Sequence, residues 1–156
     1  MMLVPLAGCS STKTARAVLV DPNGGWEVEL PGTVTHQVDG DVDVWSARYG
    51  RDYYGVVDVT MDPALTVNLD DDANNAINSS RDAIGAVATE RVITATTIDG
   101  FDARRFTANL SSGNDSATLT GVIVNHNGHV VSAIITDGKS NSADDVQRFI
   151  ASFVLH

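Results

Sequence analysis

Cysteine occurs once in the 156 residues, so no intramolecular disulfide can staple this chain. Positive charge is also scarce. Ten Lys and Arg stand against twenty Asp and Glu, and the resulting formal charge of -10 repels phosphate backbones. Nucleic acid is therefore not an expected partner. No run of 18 apolar residues occurs, so no segment is expected to cross a bilayer as a helix. The chain also lacks a GxSxG elbow, an HExxH helix, paired CxxC motifs, a P-loop and a GxGxxG turn. The short routes to hydrolysis, zinc chemistry and nucleotide binding thus lack their residues. No catalytic residue, metal or cofactor is assigned, and a non-enzyme is expected.

What is present describes a folded domain. Hydrophobic residues make up 43% and charged residues 19%, far from the composition of disordered chains, and the length suits one domain. The lone thiol has an unusual place. Leu6-Ala7-Gly8-Cys9 resembles a bacterial lipobox, in which small residues let an extended backbone enter a peptidase cleft and the thiolate accepts the lipid. Cleavage would fall between Gly8 and Cys9. Residues 1–8 read as a truncated signal peptide, with no basic residue and a short apolar run. Residues 9–24 read as the lipidated cysteine and its polar tether, and residues 25–156 as a single domain. Two or three acyl chains hold a protein firmly where one does not.

From Trp26 onward the pattern is one of strands and turns. Residues 26–30 read as a strand ended by Pro31-Gly32. Residues 42–49 and 53–61 read as neighbouring antiparallel strands joined at Gly50, Arg51 and Asp52. Residues 70–85 carry Ala73, Ala76, Ile77, Ser80, Ala83 and Ile84 at helical spacing, with three Asp at the electropositive N-terminus and Gly85 as a stop. Asp99-Gly100 and Asn127-Gly128 then mark two hairpins with type I′ turns. Pairing outward from the second sets Val124 opposite Val131 and Val122 opposite Ala133. Leu119, Ile123, Val130 and Ile134 fall on the other face, so this pair of strands must be covered on both sides. Residues 142–156 close the chain as a helical segment with Val146, Phe149, Ile150 and Phe153 inward and Ser142 as its N-cap.

Few residues suggest chemistry. His126 and His129 flank the Asn127-Gly128 turn as direct cross-strand neighbours, close enough to share a metal ion, but two ligands are too few for a specific zinc site. The plain reading makes them rim residues solvating a turn. Asp70, Asp71 and Asp72 lack the alternation of a calcium loop and fit helix capping better. Arg104 and Arg105 must point to opposite faces of a strand. Trp45, Tyr49, Tyr53 and Tyr54 gather around one hairpin, where they serve either as packing or as a contact surface for a partner.

The segments WEVELPG, VWSARYGRDYYGVVDV, TTIDGFDARRF, the Asn-Gly hairpin and the closing FIASFVL are together similar to the PsbP-like fold of thylakoid PsbP and the Ran-binding Mog protein. Among proteins of that fold, the chain resembles the small envelope lipoproteins of the DcrB type. The resemblance covers residues 26–155. It implies an α+β fold with an antiparallel sheet of about six or seven strands and helices on both sides; a cystatin-like or nuclear-transport-factor-like curved sheet is the alternative. It supplies no catalytic residues. A non-catalytic accessory or assembly module is expected, lipid-anchored to the extracytoplasmic face of the membrane and touching an envelope protein. The alternative function is a lipoprotein that binds an apolar small molecule or a metal.

Overall fold

The computed structural model describes residues 16–21, 25–138 and 143–156. Cys9, Gly8 and Ser142 lie outside them. The elements in chain order are β1 (Arg16–Val20), β2 (Trp26–Pro31), β3 (Val34–Asp39), β4 (Val42–Tyr49), β5 (Asp52–Thr60), α1 (Leu69–Ala83), β6 (Val87–Ile98), β7 (Phe101–Ser112), β8 (Asp115–His126), β9 (His129–Asp137), α2 (Ala143–Ser152) and β10 (Val154–Leu155).

A seven-stranded antiparallel sheet runs in the order β3-β4-β5-β9-β8-β7-β6, and a three-stranded one in the order β1-β2-β10. The two tight turns set the register of the large sheet. Asp99 and Asn127 take φ of 49° and 50°, each followed by a glycine of positive φ, as a type I′ turn requires. Val124 then pairs with Val131 and Val122 with Ala133, as the alternation predicts.

Both faces of the central strands β8 and β9 are buried, each in its own core. One core holds Val122, Val124, Val131, Ala133 and Ile135 against Trp26, Val28 and Leu30 of β2 and Phe149 and Ile150 of α2. The other holds Phe106, Leu119, Ile123 and Ile134 against Leu69, Ala73 and Ile77 of α1. Helices thus lie on both sides, and the fold is α+β.

Three boundaries differ from expectation. Residues 16–20, expected in the tether, form β1 and pair along β2 from Arg16 opposite Pro31 to Val20 opposite Glu27. Asp52, expected in a turn, is a buried strand residue whose Oδ1 accepts the Gly138 N–H at 2.9 Å. The last helix stops at Ser152, because its hydroxyl donates to the Phe149 carbonyl (2.7 Å) and accepts the Glu29 N–H (3.0 Å). Val154 and Leu155 then extend beside Glu27 and Trp26. A hydroxyl committed to its own helix carbonyl and to a neighbouring strand favours a stop over another turn.

Candidate functional site

Helix α1 is anchored at its start. The Asn68 side chain accepts from the N–H groups of Asp70 and Asp71, a cap that contributes about 1 kcal/mol. Arg104, on β7, binds Asp70 through Nε (2.9 Å) and Nη2 (3.3 Å), whereas Arg105 reaches Gln147 of α2 on the opposite face. At its far end, Gly85 with φ of 61° closes the helix, and its N–H bonds the Asp82 carbonyl. The helix therefore packs mainly over β6, β7 and β8 and reaches β9 only through the core it shares with Val130 and Ile134, so that Val57 and Val59 on the same face of β5 stay half-buried.

The result is a cleft of about 740 Å³ between α1 and the sheet, within the usual range for small-molecule sites. Its floor is made by alternate residues of two paired strands, with Gly55 opposite Ile134, Val57 opposite Ser132 and Val59 opposite Val130. Its wall is the outward edge of α1, where Ala76, Ser80, Ala83 and Ile84 follow at helical spacing. These residues belong to the stripe expected to be covered; instead Ala83 and Ile84 are exposed, Ile84 by 50%. Small side chains on wall and floor keep the cleft open.

Charge sits unevenly in it. Tyr53 lies at one end, its ring against Gly55, where a Cβ would come 3.2 Å from Cε1. Arg48, its cross-strand partner, places its guanidinium 5.6 Å from the centre of that ring. Arg51 lines the same end but is held by Asp115 at 2.7 Å. Among the described residues, no carboxylate pairs with Arg48. Asp72, near the helix start, has its carboxyl pushed above the ordinary aspartate value by burial and then by Asp71.

The four expected contact aromatics do not form a surface. Alternation turns Trp45 and Tyr54 inward, where they are 5% and 0% exposed. Trp45 meets Trp26 edge-on at 5.0 Å and is stacked by His36 at 4.5 Å, while Tyr54 meets Phe149 at 5.2 Å. Both are core residues, which corrects their place among the interface candidates. Tyr49 is exposed, and Tyr53 enters the cleft.

The two histidines are cross-strand neighbours with separate partners. His129 Nδ1 donates to Asp58 Oδ1 at 2.7 Å, and the other oxygen of this buried carboxylate accepts the Trp26 indole N–H at 2.9 Å. His126 is 5% exposed rather than a solvated rim residue. Its Nε2 lies 3.2 Å from the His156 carbonyl oxygen, and Phe101 meets its ring edge-on at 4.4 Å. Among the described residues, no group of three or more His, Cys, Asp or Glu side chains is placed to hold a metal.

Sequence reasoning missed Arg48, Gly55 and Ser132 as cleft residues. Gly55, opposite Ile134, and Ser132, opposite Val57, interrupt largely apolar stretches of the two neighbouring strands, which was the available signal.

Comparison with solved structures gives the fold its class. Cyanobacterial PsbP (CyanoP) from Synechocystis sp. PCC 6803 matches over 98% of this chain and 100% of its own, with a TM-score of 0.65 and 16% identity. The chain has the PsbP-like fold. A protein of unknown function from Pseudomonas aeruginosa matches over 85% of this chain and 86% of its own, with a TM-score of 0.41 and 12% identity. No family model matches the sequence, and no curated protein does. No described helix is long and apolar enough to cross a membrane.

Proposed function

We propose that this protein is an envelope lipoprotein that works by binding, not by chemistry. Its folded domain takes an apolar ligand into the cleft between α1 and the β5–β9 face. The observation that carries the reading is the cleft itself, about 740 Å³ with a floor of Val57, Val59, Val130 and Ile134. The burial of Trp45 and Tyr54 weighs against an aromatic docking patch as the main contact surface. Accessory contacts with an envelope protein would then serve to pass the ligand on. The anchor rests on the Leu6-Ala7-Gly8-Cys9 motif and places the acidic domain at the extracytoplasmic face of the membrane, where charge alone would not hold it.

Two measurements test the two halves. Cells expressing the chain are fed a clickable fatty acid: label on the wild type and none on Cys9→Ala is expected, and an unlabelled wild type defeats the anchor. For the cleft, the purified chain is titrated with the uncharged fluorophore N-phenyl-1-naphthylamine. Enhancement that disappears in Ser80→Trp, a variant that fills the cleft from its helix wall, is expected. No enhancement from the folded wild type removes the binding function.

A further inference from the structure

We infer that the cleft selects an amphiphile with one anionic head, specifically a long-chain fatty acid whose carboxylate pairs with Arg48 while its chain lies along the β5–β9 floor. This deepens the proposed binding function and depends on it.

The argument begins with the charge on Arg48. In a chain of formal charge -10, a guanidinium would be expected to find an acceptor: Arg16, Arg51, Arg81, Arg104 and Arg148 each hold a carboxylate, and Arg91 and Arg105 bond the side-chain amide oxygens of Asn78 and Gln147. Arg48 instead rests over the Tyr53 ring at 5.6 Å, and Tyr53 in turn lies against a residue without a side chain, Gly55. A planar ring fixes the cation's position and satisfies none of its N–H donors. The donors of Arg48 therefore remain free for an anion at the cleft mouth. The fork of a guanidinium matches a carboxylate with two parallel hydrogen bonds.

The direction of the ligand follows from the sheet register. Asp70, at the start of α1, is bonded to Arg104, which pairs with Ile123, which pairs in turn with Ser132 opposite Val57. The acidic start of the helix, with Asp72 on the cleft wall, therefore stands toward the Val57 and Val59 end. Tyr53 and Arg48 stand at the other, where Arg51 and Asp115 neutralise each other and Arg48 is left as the uncompensated charge. An anion is repelled from the first end and attracted to the second, so the head lies at Arg48 and the chain runs toward Val59. From Tyr53 to Val59 the floor is six residues of extended strand, about 20 Å, which matches an acyl chain of about fourteen to sixteen carbons at ordinary bond lengths. The floor itself carries no charge, only Gly, Val, Ile, Thr and Ser side chains, while the facing helix wall adds Ala76, Ser80 and Ala83 and, toward the helix start, Asn75 and Asp72.

The test displaces N-phenyl-1-naphthylamine from the full-length purified chain with myristate or with tetradecanol, which differ in the head alone. Myristate is expected to compete about tenfold better, the worth of one charge-assisted contact at a partly exposed site. Arg48→Ala should abolish that preference without affecting the alcohol, and the double change Arg51→Ala with Asp115→Ala, which removes a paired cation and carboxylate together, should leave most of it. Because Arg48 is exposed, the alanine variant is expected to fold; Tyr53→Ala, which removes the platform and leaves the cation, should weaken the preference in between. Equal competition by acid and alcohol in the wild type overturns the anionic head while leaving the apolar cleft standing. Failure of the fluorophore itself to bind overturns both, and tighter competition by an uncharged apolar peptide than by myristate overturns the fatty acid as occupant.

Discussion

The ring tip of Phe106 rests on Gly121, its cross-strand partner, so closely that a Cβ there would lie 2.3 Å from Cζ and 2.7 Å from Cε2. Phe106 is fully buried and belongs to the core beneath α1. A glycine in a central strand lacks a side chain to pack, and the aromatic ring across the ladder supplies that missing surface. Gly121→Ala is therefore expected to destabilise the protein by about 2 to 3 kcal/mol through overpacking. Phe106→Leu alone costs packing as well, but the double variant should lose clearly less than the sum, because the shorter side chain makes room for the methyl. Urea denaturation of the four proteins measures the coupling; strict additivity would mean the contact carries no strain.

How much of this was legible beforehand varied with the element. The β8–β9 register followed from Asn127-Gly128 because a two-residue turn leaves one pairing, and the apolar alternation on both faces required cover on both. β3 was illegible: VTHQVD has one half-buried residue and sits at the sheet edge, so it shows no apolar period. β1 looked like tether because it too is an edge strand, with Val18 59% exposed, and although β2 reads as a strand, its pairing with β1 is visible only in three dimensions. The cleft was half-legible. The small-residue stripe of α1 was read, but an apolar helix face shows only that something packs there, not how far the sheet extends beneath it. Here β5 and β9 continue past the helix, and the outer part of the stripe is left as a wall.

The carboxylate of Asp58 joins two elements that no turn connects. It accepts from the Trp26 indole on β2 and from His129 on β9, so the small sheet is tied to the large one through a buried charge. Asp58→Ala leaves the indole N–H buried without an acceptor and is expected to cost about 3 kcal/mol, whereas Asp58→Asn, which keeps one acceptor oxygen, should cost about half of that. Urea denaturation followed by the joint fluorescence of Trp26 and Trp45 measures the loss of stability, and repeating it in a Trp45→Phe background isolates the changed surroundings of the Trp26 indole. Equal cost for the two variants would mean that the accepted bonds contribute little.

Stability should also depend on Asp72 in a direction set by its surroundings. Burial against the cleft and the neighbouring Asp71 push its carboxyl above the ordinary value of 3.8. The native protein thus holds this proton to a higher pH than the unfolded chain does. Stability contributed by the neutral carboxyl is present below 3.8 and falls as pH rises through the raised native value. Asp72→Asn removes the ionisation, while Asp70 and Asp71 still serve the helix N-terminus. The variant is expected to melt higher than the wild type at pH 7 and level with it at about pH 3. Thermal denaturation at the two pH values decides the matter, and a variant that is less stable at pH 7 would contradict the assigned cause.

Gly55 offers a way to separate the platform under Arg48 from the cation itself. Its φ is not in the left-handed region, so what its lack of a side chain provides is space, and the nearest atom to an added Cβ is Tyr53 Cε1 at 3.2 Å. A methyl there obliges the ring to give by a few tenths of an ångström, while a valine obliges it to tilt. Strand propensity favours both substitutions by up to about 1 kcal/mol, which offsets the cost of moving a half-buried ring. Stability should therefore change little in Gly55→Ala. Recognition should change more, since a tilted ring no longer holds the guanidinium over the cleft mouth. The preference for myristate over tetradecanol is expected to fall a few-fold in Gly55→Ala and to approach that of Arg48→Ala in Gly55→Val. Circular dichroism melts alongside the displacement titrations distinguish this from partial unfolding. If both variants kept the full preference with unchanged stability, the glycine would be no more than a gap in the floor, and Arg48 would not need the Tyr53 ring beneath it.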